Sequence, residues 1–207
     1  MIAVIDLDGT LIDSTKRHYV LMEKLLEQRG LLSGFDASAY MDYKADGHSG
    51  KSYLTNVLHL ENSVATGVMT KWTAHIEDEE LVSLDELYED AIPFLEYLKN
   101  DGIKIIFLTA RQDAMLVRGE LEHLCIADFA DEIFVVSPSN GMVEKCKVCK
   151  ELKMQDEIFV VGDTENEEQL VSELGIDGFI LNRGFRSRKF WDERGVKTFE
   201  SLLEIRR

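Results

Sequence analysis

Two aspartates one residue apart, Asp6 and Asp8, follow the apolar run Ile2 to Ile5 and precede Gly9-Thr10. A second apolar run, Ile103 to Leu108, leads into Thr109-Ala110-Arg111, and a third, Ile158 to Val161, leads into Gly162-Asp163 with Glu167 shortly after. Asp-Gly alone is a common turn pair. The conjunction of polar residues after three apolar runs is what points to chemistry. Asp6, Asp8, Asp163 and Glu167 gathered in one place would repel one another unless a cation sat among them. An all-oxygen donor set of this kind suits Mg²⁺, which keeps several waters and leaves room for a phosphate oxygen. Beside such an ion an ionised Asp6 can attack phosphorus and carry the phosphoryl group. Asp8 can sit beyond the departing oxygen, give it a proton and later take one from water. Gly9 permits a tight turn near a ligand. Thr109 can offer its hydroxyl to a phosphoryl oxygen, and a lysine would balance the remaining charge.

These residues converge only if the three runs are neighbouring strands. Ile2 to Ile5 is short, apolar and mostly β-branched, as a buried strand requires. Ser14 to Gly30 carries Val20, Leu21, Leu25 and Leu26 at helical spacing. Phe35 to Tyr88 shows no clear strand and reads as several short helices. From Ala91 onward helices and strands alternate: helix to Asn100, strand 103–108, helix 112–124, strand 133–136, helix 144–154, strand 158–161, helix 165–174, strand 179–181, and a closing helix over 199–205. This alternation predicts an α/β fold, a Rossmann-like parallel sheet with helices on both faces. The helical stretch after the first strand is too long for one crossover. It predicts an inserted α-helical cap domain at residues 14–85, over a core of residues 1–13 and 86–207. Open parallel sheets bind ligands at the carboxyl ends of their strands, where the cap would sit.

The chain has 207 residues and a formal charge of -16. Such a surface repels nucleic acid and anionic lipid, so neither is an expected partner. The basic cluster Arg183 to Lys189 is short and reads as a solvated turn. No apolar run is long enough to span a bilayer, and Met1 leads directly into strand pattern with no signal-peptide layout. A cytoplasmic location is expected. Cys125, Cys146 and Cys149 are too few for a disulfide framework. Cys146 and Cys149 lack a second ligand pair for zinc and read as two small apolar side chains on one helix face. Ala45 to Ser52 fits a loose P-loop pattern, but no apolar strand precedes it.

With these motifs in order, the chain resembles the haloacid dehalogenase superfamily of phosphohydrolases, most clearly at residues 1–14, 91–111 and 158–168. The resemblance implies that Asp6 is the nucleophile and Asp8 the general acid/base. It implies that Mg²⁺ is held by the Asp6 carboxylate, the Asp8 backbone carbonyl and Asp163, and that Thr109 matches the second motif. The insertion looks like the cap of phosphoglycolate phosphatase-like and β-phosphoglucomutase-like members. Two departures stand out. Glu167 occupies a position where the family usually has Asp, one methylene shorter. The motif lysine is open among Lys145, Lys147, Lys150 and Lys153; Lys145, at the helix start nearest a strand end, is the first choice and Lys147 the second.

Ala110 and Arg111, beside Thr109, are candidate substrate contacts. Gly47-His48-Ser49 followed by Leu54 is similar to the substrate-facing cap loop of related mutases and phosphatases. On that reading His48, Ser49 and Lys51 touch the leaving group; otherwise they belong to a plain helix–helix loop. The expected activity is Mg²⁺-dependent hydrolysis of a small phosphorylated metabolite through an aspartyl-phosphate. A phosphoglucomutase-type phosphotransferase uses the same groups, and a binding module on a degenerate scaffold is the non-catalytic alternative.

Overall fold

The computed structural model describes residues 1–206. The chain opens with β1 (Ile2–Ile5), buried at every position. It leaves the sheet through β2 (Ile12–Asp13) and runs through α1 (Thr15–Glu27), α2 (Ala37–Ala45), α3 (Gly50–Asn56), α4 (Asn62–His75) and α5 (Glu79–Val82). It returns through β3 (Glu86–Leu87), which pairs antiparallel with β2. The outgoing and incoming segments are thus tied together at the point where the helical insertion joins the sheet. The rest alternates: α6 (Ala91–Asn100), β4 (Lys104–Ala110), α7 (Ala114–His123), β5 (Glu132–Val136), α8 (Gly141–Lys153), β6 (Ile158–Gly162), α9 (Glu165–Leu174), β7 (Asp177–Leu181), α10 (Arg188–Asp192) and β8 (Thr198–Phe199).

Six strands form one parallel sheet in the order β5-β4-β1-β6-β7-β8. From β1 the chain builds outward through β4 to β5, then crosses back to add β6 on the other side of β1. That reversal lies between β1 and β6, and it opens a crevice at their carboxyl ends, the usual ligand position in doubly wound sheets. The strand pleat sorts side chains by period two. Ala3 and Ile5 join Phe94, Leu95, Leu98, Val117 and Leu121 on one face, while Ile2 and Val4 join Cys146, Cys149, Leu152 and Leu170 on the other. A third apolar cluster draws only on residues between Tyr19 and Leu84, so the five inserted helices bury their own interior. In α1 that interior takes Leu21, Met22, Leu25 and Leu26, spaced to share one helical face. Among the described residues no helix is long and apolar enough to cross a membrane.

Three expectations need correction. The closing helix over 199–205 is not formed. Phe199, Leu202, Leu203 and Ile205 mimic helical spacing, but Thr198 and Phe199 pair with Ile180 and Leu181 as an edge strand. Ser201 then starts a single 3-10 turn at Leu202–Glu204 through a capping box. The stretch read as strand-free up to Tyr88 contains β3, whose two residues are too few to show a period. Arg183 to Lys189 is not a solvated turn: its middle is half-buried, and it links the sheet to the inserted helices. Phe94 faces the sheet from α6 and is fully buried. Phe94→Ala should lower the unfolding free energy by about 3–5 kcal/mol, read from urea denaturation followed by circular dichroism.

Candidate active site

Asp6 follows β1 and Asp163 follows β6, so adjacent strands deliver the two carboxylates to the crevice. Glu167 reaches the same point from the first turn of α9. Oxygens of Asp6, Asp163 and Glu167 all lie within 4.8 Å of one another. Lys145 comes from α8, with Nζ 3.0 Å from Asp6 Oδ1 and 2.7 Å from Glu167 Oε1. The other Glu167 oxygen accepts from the Thr164 hydroxyl at 2.6 Å. Asp163 Oδ2 accepts from the Phe185 backbone N–H at 2.8 Å, while its Oδ1 is buried without a partner.

The backbone is shaped to allow this crowding. After β1 the Leu7 carbonyl accepts from the N–H groups of Thr10, Leu11 and Ile12, folding the chain back on itself. Gly9 and Gly184 both have positive φ, and a Cβ on either would collide with the Asp163 carboxylate. A Cβ on Gly184 would also come within 2.5 Å of Gly9 Cα. Both positions therefore require glycine for conformation and for space.

Three carboxylates face one ammonium, an excess of two negative charges in a site shielded from water. Burial pushes the Asp6 carboxyl up to about 7, Lys145 pulls against it, and Glu167 and Asp8 add to the rise. Burial likewise holds Asp163 well above the carboxylate range, eased by the Phe185 N–H and aggravated by Asp6 and Glu167. Burial alone would discharge Lys145, but Asp6 and Glu167 outweigh it and keep the amine firmly protonated. The orphaned Asp163 Oδ1, the oxygen-only donors and the charge deficit all fit a divalent cation.

Asp8 points elsewhere. Its carboxylate accepts from Arg111 Nε at 2.6 Å and Nη2 at 2.8 Å, and pairs with Arg17 Nη2 as well. Burial favours the neutral acid, yet Arg111 and then Arg17 overcome it and hold Asp8 well below the usual carboxylate range. Arg17 belongs to α1 and Arg111 follows β4, so the clamp joins the inserted helices to the sheet. It extends to Asp85, 3.0 Å from Arg17 Nη1, and Glu120, 3.3 Å from Arg111 Nη2.

Beside the carboxylates, the loop 183–187 meets the inserted helices. Phe185 lies 4.6 Å from the His18 ring and 5.0 Å from Lys44 Nζ. Lys44 Nζ contacts His18 Nδ1 at 2.6 Å and stands over the Tyr40 and Trp72 rings. Burial first, then Arg186 and Arg17, push the Lys44 amine down to about 7. Burial, with Lys44, Arg17 and Arg111, also keeps His18 neutral. The backbone closes the seam: Ser187 N–H donates to the Ala45 carbonyl at 2.9 Å.

The structure thus brings Asp6, Lys145, Asp163 and Glu167 together, with Thr109 buried at the end of β4. Lys147 and Lys150 are exposed on α8. Arg111 is engaged by Asp8, and Ala110 is half-buried next to it. His48 is exposed and stacks on Tyr43, while Ser49 caps α3 by accepting from Ser52 N–H. Lys51 is half-buried on α3. No contact joins His48, Ser49 or Lys51 to the carboxylates among the described residues; Lys44, one turn earlier in the chain, occupies the seam instead. Sequence reasoning missed Arg17, His18, Lys44, Asp85 and Phe185. A signal existed for Arg17, which shares a helical face with Leu21 and Leu25. Phe185 acts through its backbone, which no side-chain pattern reveals.

The haloacid dehalogenase-like hydrolase family model matches residues 1–171. Solved structures share the fold at low identity. A haloacid dehalogenase-like hydrolase from Streptococcus pneumoniae is 18% identical, with a TM-score of 0.77 over 98% of this chain and 95% of its own. A protein predicted to be a phosphatase from Clostridium difficile is 19% identical, with a TM-score of 0.77 over 98% and 96%. A predicted phosphoglycolate phosphatase from Haemophilus somnus is 16% identical, with a TM-score of 0.73 over 98% and 95%. No curated protein matches the sequence.

The raised Asp6 carboxyl has a stability signature. Its unfolded form ionises near 3.8 and its folded form near 7, so the folded state binds the proton more tightly. Stability therefore falls as pH rises through that window and levels above it. With a chelator present, Asp6→Asn should stabilise the protein, and the gain should grow from pH 4 to pH 7 and then flatten. Urea midpoints measured at each pH check this.

Proposed function

This chain belongs to the haloacid dehalogenase-like hydrolase family, and from that premise we propose that it hydrolyses the phosphate monoester of a small metabolite. Asp6 is the nucleophile and Mg²⁺ the required metal. The observation that carries this reading is the meeting of Asp6, Lys145 and Asp163 at the β1–β6 crevice. Asp6 attacks phosphorus and displaces the leaving oxygen, forming an aspartyl-phosphate. Water then attacks that phosphorus, releases inorganic phosphate and restores Asp6. Lys145 fixes the Asp6 carboxylate and offsets charge on the transferring group, and Thr109 offers a hydroxyl to it. Asp6, Asp163 and the Asp8 carbonyl would hold Mg²⁺, which when bound supplies positive charge to the carboxylates and to the phosphoryl oxygens. Glu167 has both oxygens engaged, so we assign it to orient Lys145 and to balance the metal's charge.

Asp8 is assigned as the acid/base, and its clamp sets a condition on that role. Held by Arg111 and Arg17, it is ionised and ready to take a proton from water. Giving a proton to the leaving oxygen requires the arginines to loosen. Arg17 travels with α1, so movement of residues 14–85, the proposed cap, against the core would change the hold on Asp8. The leaving group would lie toward the seam, where Lys44 and His18 replace His48, Ser49 and Lys51 as its proposed contacts. Two of the structural neighbours are described as phosphatases, which supports a phosphatase reading.

A panel of phosphorylated metabolites assayed with Mg²⁺ for phosphate release tests the reading. Asp6→Asn should lower turnover by more than about a thousandfold, and a chelator should abolish it reversibly. Magnesium-dependent release that persists in Asp6→Asn would overturn the nucleophile assignment. Lys44→Met should raise KM for the preferred metabolite while leaving kcat/KM for a small aryl phosphate within a few-fold, because only the former reaches the seam. An equal loss on both substrates would remove Lys44 from leaving-group recognition.

A further inference from the structure

The loop after β7 is fastened on two sides. On the core side, the Phe185 N–H donates to Asp163 Oδ2 at 2.8 Å. Arg186 grips Glu165, at the start of α9, with Nε 2.7 Å from Oε2 and Nη2 2.9 Å from Oε1. On the other side the same short stretch holds the end of α2. Arg186 Nη1 donates to the Lys44 carbonyl at 3.3 Å, and the Ser187 N–H to the Ala45 carbonyl at 2.9 Å. The Ser187 hydroxyl donates to Asp46 Oδ1 at 3.0 Å, and Lys189 Nζ to Asp46 Oδ2 at 3.2 Å. Gly47 abuts the Phe190 ring so closely that a Cβ there would come within 2.4 Å of it. Phe185 itself faces both ways. Its backbone holds Asp163, and its ring packs on His18 of α1 and Lys44 of α2.

A hydrogen bond to one oxygen of a carboxylate fixes where the other oxygen points, and such bonds tune the affinity of metal ligands. Here the bond from Phe185 leaves Asp163 Oδ1 buried and without a protein partner. The N–H keeps that orientation only while the loop backbone stays in place, and the bonds to Lys44, Ala45 and Asp46 help to keep it there. We propose that Phe185 is a positioning residue that couples the seating of α2 on the loop to the metal affinity of Asp163. Coupling of this kind is reciprocal. Seating α2 improves the metal site, and a cation at Asp163 in turn holds α2 on the loop. The inference rests on the reading of Asp163 as a metal ligand, given above, and not on the identity of the substrate.

The test titrates the full chain with Mg²⁺ by calorimetry, without substrate. Asp46 lies across the seam, and among the described residues no contact joins it to Asp6, Asp163 or Glu167. Asp46→Ala removes the acceptor of the Ser187 hydroxyl and should weaken Mg²⁺ binding about fivefold. Asp46→Asn removes the same charge but keeps an acceptor, and should stay within about twofold of the wild type. In the wild type, Mg²⁺ should slow hydrogen exchange at the Ser187 N–H, which bonds across the seam. Unchanged affinity in Asp46→Ala, an equal loss in Asp46→Asn, or Ser187 exchange indifferent to Mg²⁺ would each overturn the coupling. Asp163→Asn separates that failure from failure of the metal assignment. Mg²⁺ binding that survives Asp163→Asn overturns the assignment and the coupling with it. Binding lost in Asp163→Asn but untouched by Asp46→Ala overturns the coupling alone.

Discussion

Burying Asp6, Asp163 and Glu167 around a single ammonium is the constraint to which the rest of this structure answers. Removing carboxylates from water is costly, and their mutual repulsion grows in a low-dielectric site. The fold meets that cost piece by piece. β1 and β6 must be neighbours for Asp6 and Asp163 to meet, and the sheet order makes them so. Lys145 must reach across from α8, and Glu167 and Asp6 hold it charged there. The Phe185 N–H must approach Asp163, which demands that Gly9 and Gly184 carry no side chain. What remains uncompensated is the charge that a divalent cation carries.

A second charged group lies beside the first and is built on the opposite plan. Asp8 has two guanidiniums where Asp6 has one ammonium, so neighbouring carboxyls are driven to opposite ends of the scale. Asp6 is pushed toward the neutral acid and Asp8 toward the carboxylate. Pairs of acids set apart in this way divide labour between them. The contrast here depends in part on Arg17, which comes from the inserted helices. Those helices have their own apolar interior and join the sheet through the short β2–β3 pair. The polarity of the Asp8 position is therefore tied to how the two parts of the chain sit together.

The elements that build the sheet were legible because buried parallel strands are runs of Ile, Val, Leu and Phe that other structures seldom imitate. The carboxylate-bearing ends were legible because they follow those runs directly. What escaped had a physical reason in each case. β2, β3 and β8 are two-residue strands, too short for any period. The 199–205 segment has helical spacing, but its pairing with β7 wins. Lys44 and His18 lie in helices whose register against the core is a tertiary fact. Arg183 to Lys189 looked like surface because its charges are visible in sequence and their partners, Asp90, Glu165 and Asp46, are far away in it.

Those distant partners bear on how an anionic substrate could approach a chain of charge -16. The basic stretch could have served as a landing patch, but its cations are spoken for by carboxylates. Arg17 and Arg111 are held by Asp8. Lys44 has no carboxylate partner among the described residues. Its neighbours are His18 and aromatic rings, and burial with nearby arginines brings its amine near neutrality. An arriving anion would favour the protonated amine and raise its pKa, so Lys44 would gain its full charge only when something negative sits beside it. A lysine in that state offers little attraction to nonspecific anions and strong attraction to one that the seam can hold, which makes selection at this position a property of fit rather than of net charge.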